Sequence, residues 1–133
     1  MTAPEDDFAY AILRVVPDLQ RGEALNAAVV LFCRLRRFLA VRAELDRAAL
    51  HALAGAGATV DADAIERHLD VVRRVAAGDP AGGPVAALPQ SERFGWLTAP
   101  SSTVVQPSPV HVGICRGDPQ DELDRLFARL VAR

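Results

Sequence analysis

Apolar residues recur at two spacings along this chain, and the change from one to the other divides it into elements. From Phe8 to Leu45 the spacing is that of strands, in which alternate residues share a face. FAYAILRVV, stopped by Pro17, predicts a first strand with Phe8, Tyr10, Ile12, Arg14 and Val16 on one face. Its other face, Ala9, Ala11, Leu13 and Val15, is also apolar, so the strand is expected at the centre of a sheet. Arg14 then sits in an apolar face, where a charge requires a partner. Asp18 to Glu23 reads as a turn around Gly22, and a second strand from Ala24 to Cys33 is expected to carry Asn26, Ala28, Val30 and Phe32 on one face. Arg34 to Arg37 forms a hairpin tip. A third strand, Phe38 to Leu45, alternates Leu39, Val41, Ala43 and Leu45 against Arg42 and Glu44, the pattern of a sheet covered on one face.

Beyond Leu45 the spacing becomes helical. Asp46 caps a short helix over Arg47 to Ala54. Asp61 or Asp63 caps a longer one reaching about Ala77, where Gly78 ends it; Ile65, Leu69, Val72 and Ala76 form its apolar stripe, with His68 on the flank. Residues 78–89 read as a flexible surface loop, followed by one or two helical turns over Gln90 to Leu97. Two more strands are expected, Thr103 to Gln106 and Val110 to Cys115, separated by a break at Pro107 to Pro109. Asp118 and Pro119 then open a last helix, whose stripe of Leu123, Leu126, Phe127, Leu130 and Val131 must dock on the sheet. The fold expected is a single α+β domain over residues 1–133, with residues 1–7 frayed. It comprises an antiparallel sheet of four to five strands and three to four helices packed mainly on one face.

Composition narrows the function classes. With 133 residues, 50% hydrophobic and 24% charged, the chain suits one globular domain. A net charge of −2 supplies no general attraction to nucleic acid or anionic lipid. The N-terminal residues lack the apolar core of a secretory signal, and no run approaches the ~20 apolar residues of a membrane span, so a cytoplasmic protein is expected. Cys33 and Cys115 are then expected to stay reduced. All 15 basic residues are arginine, which we read as codon bias in a bacterium of high GC content.

Two constellations carry candidate chemistry. Strand parity could gather Arg14, Glu23, Asn26, Arg42 and Glu44 into a pocket for an anion or amide, or into cross-strand ion pairs with Asn26 capping a turn. The stretch ERFGWLTAPSSTVVQPSPVHVGIC supplies Arg93, Trp96, Ser101, Ser102, Thr103, Gln106, Ser108 and His111. Clustered hydroxyls beside an arginine can cradle a phosphate or carboxylate, although the glycine spacing of a nucleotide loop is missing. The alternative is a proline-stiffened structural loop with Trp96 anchored in the core. His111 and Cys115 cannot form a nucleophile pair, because four residues of strand separate them by about 13 Å. No metal-ligand spacing links the cysteines and histidines, and no cofactor is expected. His68 reads as a core histidine, and Arg34, Arg36 and Arg37 as a solvated turn.

The segments YAILRVVP, RGEALNAAVVLF and ERFGWLTAPSSTVVQPSPVHVG resemble the bacterial domain-of-unknown-function family 3037, over nearly the whole chain from Phe8 to the last helix. The resemblance matches recurring family positions to Tyr10, Arg14, Gly22, Glu23, Asn26, Arg93, Trp96, Leu97, Pro100, Ser102, Gln106, Ser108, His111 and Gly113. Many relatives carry glycine where this chain has Ala28. The resemblance implies a HipA-like kinase as a partner and implies no activity. The leading expectation is a non-enzymatic accessory or binding protein, for a protein partner or a small anionic ligand, working as monomer or homodimer. Its site would be the sheet-end surface built by residues 14–26, Arg14 among them, and 93–111, with Arg93, Trp96, Ser102, Gln106 and His111 as one wall and the turn at Gly22 to Asn26 as the other. An enzyme acting on a phosphorylated or nucleotide-like substrate, and a structural homodimer subunit, are the alternatives.

Overall fold

The computed structural model describes residues 6–132. Three long antiparallel strands, β1 (Asp6–Val15), β2 (Leu25–Cys33) and β3 (Phe38–Ala43), form the meander, with β1 beside β2 and β2 beside β3. Helices α1 (Arg47–Ala54), α2 (Ala62–Ala77) and α3 (Gln90–Leu97) follow. Two short strands, β4 (Val105–Pro107) and β5 (His111–Cys115), then share the free edge of β1, and α4 (Pro119–Leu130) ends the fold. β4 pairs with the Leu13–Val15 end of β1 and β5 with the Asp6–Tyr10 end, both antiparallel. The result is the α+β fold that the periodicity predicts, with five strands and four α-helices among the described residues. Among the described residues no helix is long and apolar enough to cross a membrane.

Local chemistry fixes the helix ends. Asp46, Asp61 and Asp118 each accept a backbone N–H of the first turn, from Ala49, Ala64 and Gln120. Gly78 closes α2 at a φ of 73°, a left-handed conformation that side chains other than glycine's resist. The segment read as a flexible loop, 78–89, instead winds into two 3-10 turns, Pro80–Gly82 and Pro84–Ala87. Gly82 lies so close to α2 that an added Cβ would stand 3.0 Å from the Val75 nitrogen.

Both faces of the central sheet are covered, where the alternation of β3 suggested one. Leu13, Val15, Val30 and Leu39 pack with Leu50 of α1, Ile65, Leu69 and Val72 of α2, and Phe94 of α3. On the opposite face Phe8, Val29, Leu31 and Cys33 pack with Leu123, Leu126 and Phe127 of α4. Each of those three α4 side chains contributes roughly 1.5–3 kcal/mol by leaving water. The helices are therefore mainly on one face, three against one.

Two bulges bend the strands. Leu13 pairs with Ala28 but Arg14 pairs with Asn26, so Ala27 is an extra residue in β2. That insertion reverses the side-chain parity, and Leu25 joins the core that Ala28 and Val30 also enter. Asn26 is thereby turned to the α4 face, away from Ala28, Val30 and Phe32, whose face it was expected to share. The second bulge lies between β4 and β5. Ser108 donates its N–H to the Ile12 carbonyl at 2.7 Å and accepts the Ile12 N–H on Oγ at 2.8 Å. His111 pairs with Tyr10, so Pro109 and Val110 stand opposite the single residue Ala11. The serine hydroxyl thus replaces the carbonyl that the bulge removes from the ladder.

Candidate functional site

Helix α4 packs on β2, β3 and the Phe8 and Cys115 ends of β1 and β5. Among the described residues it leaves uncovered the part of that sheet face built by Tyr10 to Arg14 of β1, His111 of β5 and Gln106 of β4. Strand register decides which side chains stand there. Tyr10, Ile12 and Arg14 follow one another at every second position of β1, all half-buried. His111 of β5 lies beside Tyr10, with ring centroids 5.3 Å apart and planes inclined by 34°. Gln106 of β4 and Asn26 of β2 flank Arg14 from either side. The face is thus an aromatic pair at one end and a guanidinium between two carboxamides at the other. Four residues of β1 set these ends about 13 Å apart.

The two carboxamides are anchored. Asn26 Nδ2 donates to the Leu130 carbonyl at 3.0 Å, at the end of α4, and Gln106 Nε2 donates to the Thr103 carbonyl at 2.8 Å. Arg14 is not. Its Nε is shielded from water and, among the described residues, has no hydrogen-bond partner. The contrast with other arginines is plain. Arg36 bonds Asp6, Arg42 bonds Asp124, Arg47 bonds Asp63 and Glu66, and Arg74 bonds Asp70. A buried N–H without an acceptor costs about 1–3 kcal/mol, so a group held in that state is suited to an acceptor from outside the chain.

The remaining expected site residues are placed elsewhere. Arg93 binds three backbone carbonyls, Val75 at 3.0 Å, Ala76 at 2.8 Å and Leu88 at 2.8 Å, and so caps the end of α2. Glu23 accepts from Arg21 Nε at 2.7 Å on the surface of its turn. Ser102 is exposed in the loop before β4, next to a hydroxyl pair in which Ser101 and Thr103 stand 2.8 Å apart. Trp96 is 45% exposed, where a core anchor was the alternative reading. It lies on the other side of the sheet, lining a pocket of about 220 Å³ with Leu13 and Pro107. Arg93, Trp96, Ser102, Gln106 and His111 therefore do not make one wall. His68 is also exposed, not core, and lines both that pocket and a neighbouring one of about 320 Å³ with Ile65 and Val104. Arg42 joins no pocket with Arg14; its guanidinium lies 4.3 Å from the centre of the Phe127 ring and pairs with Asp124 at 3.0 Å, holding α4 down.

Tyr10 and Ile12, which the structure places on this face, were not among the site residues expected from the sequence. The signal was present in the register of Tyr10, Ile12 and Arg14, but only the position of α4 showed which strands it leaves uncovered. Burial raises the Cys33 thiol above its ordinary range, so it is protonated at neutral pH and poorly nucleophilic among the α4 contacts. No group of three or more His, Cys, Asp or Glu residues among those described could hold a metal ion.

No curated protein and no solved structure matches the chain. A family model does, over residues 10–131, and it spans every strand and helix described above from Tyr10 onward. The chain therefore belongs to the family described as "Protein of unknown function (DUF3037)".

Proposed function

We propose that this protein is a non-catalytic binding protein that holds a partner protein on the open face of β1, β4 and β5. Arg14 would receive an acidic side chain of the partner, and the Tyr10–His111 pair would receive an apolar or aromatic one. The observation that carries this reading is the unpartnered Arg14 Nε between Asn26 and Gln106. Two features favour a protein over a small molecule. The aromatic pair and the guanidinium are about 13 Å apart on an open surface, a separation suited to an extended chain segment. The residues an enzyme would require as acid, base and anion clamp do not converge, since Glu23 is engaged by Arg21 and Arg93 by the end of α2. A HipA-like kinase in the bacterial cytoplasm is the partner we would test first.

The test is a pull-down from the native host with wild-type protein, Arg14→Met and His111→Ala as bait. The wild type should retain a protein that both variants lose at least tenfold, while their melting temperatures stay at the wild-type value. Equal capture by Arg14→Met would overturn the reading. The same unpartnered guanidinium supports a second reading, a small anionic ligand. Stabilisation by inorganic phosphate or a nucleotide in a thermal-shift screen, absent in Arg14→Met, would select it.

A further inference from the structure

We infer that β5 is a docking edge for the β5 strand of a second copy of this chain. β5 pairs with β1 on one side, and no described strand lies on its other side. Among the described residues its outer backbone edge therefore meets no other strand and can receive one. Sheet edges are ordinarily protected by charge, proline, a bulge or a covering helix, and the two edges of this sheet differ in that respect. At the β3 edge α2 and α4 pack alongside, Arg73 donates to the Ala43 carbonyl at 2.9 Å, and Arg42 stands on the strand. The β4 half of the opposite edge carries Pro107, followed by the bulge at Pro109 and Val110. β5, His111 to Cys115, has no acidic or basic residue apart from the histidine and no proline.

The side chains on β5 favour self-pairing over a foreign strand. Val112 is 72% exposed and Ile114 48%, both on the face away from α4, while Gly113 on the α4 face lies under the Phe8 ring. Antiparallel pairing with an identical strand about Gly113 sets Val112 against Ile114 of the second copy, twice over, around a two-fold axis. In that register only the central Gly113 meets its own counterpart and His111 falls opposite Cys115, so no like charges are set against each other. A five-residue strand buries less than a standard interface of ~1,600 Å² in total, so the dimer should be weak and concentration-dependent. It uses the outer backbone edge of β5 and not the face around Arg14; His111 borders both, and Arg14→Met separates the two proposals.

Sedimentation equilibrium of the full chain tests the inference. The mass should climb towards twice that of the chain with concentration, and amide exchange over residues 111–115 should slow in step. Val112→Lys should remain monomeric with an unchanged circular dichroism spectrum, and Arg14→Met should dimerise as the wild type does. A wild type that stays monomeric at every concentration would overturn the inference, as would a dimer whose concentration-dependent protection falls on α4 or β3.

Discussion

The side chain of Asn26 donates to the backbone carbonyl of Leu130, 104 residues further along the chain, at 3.0 Å. One strand residue thereby satisfies a carbonyl in the last turn of α4, where the helix has no N–H left to offer. This contact exists because the extra residue Ala27 turns Asn26 to that face. Replacing Asn26 by alanine removes the donor and leaves the carbonyl part-buried. Asn26→Ala should lose about 1–2 kcal/mol of stability, read from the midpoint of urea unfolding. Amide exchange should accelerate first in the last turn of α4.

Arg93 should behave as a structural residue despite its charge. It holds the carbonyls of Val75, Ala76 and Leu88 in one fork, and its Nη1 would lie 3.3 Å from a Cβ placed on Gly78. Arg93→Ala should cost roughly 2 kcal/mol, and Arg93→Lys should recover little, since a single ammonium cannot reproduce the planar fork. Arg14→Met should show the reverse behaviour, unchanged stability with lost binding. If Arg93→Lys were as stable as the wild type, the capping role would be wrong.

Gly113 is required by its neighbour and not by backbone strain. A Cβ at that position would lie 2.4 Å from Cζ of Phe8 and 2.8 Å from its Cε1. Phe8 is buried against α4 and has little room to yield. Gly113→Ala should therefore destabilise the fold by about 1–3 kcal/mol through overpacking. The double variant Phe8→Leu with Gly113→Ala should be less destabilised than the sum of the two single changes, a coupling that a thermodynamic cycle measures.

The ion pair between Arg47 and Asp63, 2.7 Å apart, ties α1 to the first turn of α2. Its hydrogen bond and charge lower the Asp63 carboxyl below its ordinary value of 3.8. A carboxylate lowered by folding stabilises the fold at neutral pH; that contribution declines as pH falls below the unfolded value and is gone below the folded one. Asp63→Asn should therefore melt slightly below the wild type at pH 7, and the two should converge at acid pH. Both side chains are well exposed, so added salt should shrink the difference. A gap that widened on acidification would contradict the assignment.

The amino-acid sequence alone determined those features that depend on near neighbours in the chain. Asp46, Asp61 and Asp118 marked the helix starts because a cap acts within three residues. The alternation along Phe8 to Ala43 marked the meander because a strand has a period of two. The stripe of Leu123, Leu126 and Phe127 foretold a docked final helix for the same reason.

Residues whose roles depend on distant contacts were legible only as unusual. Asn26 was visible as the lone asparagine, but its face depended on the bulge at Ala27, and one inserted residue reverses every side chain beyond it. Arg93, Trp96 and His111 are close in sequence, yet the fold sends Arg93 to the end of α2, Trp96 to the α2 side of the sheet and His111 to the α4 side. Arg14 was recognisable as a charge in an apolar strand. That its Nε has no partner among the described residues is a tertiary fact, because α4 packs on β2, β3 and the Phe8 end of β1 and brings no carboxylate to the Arg14 end.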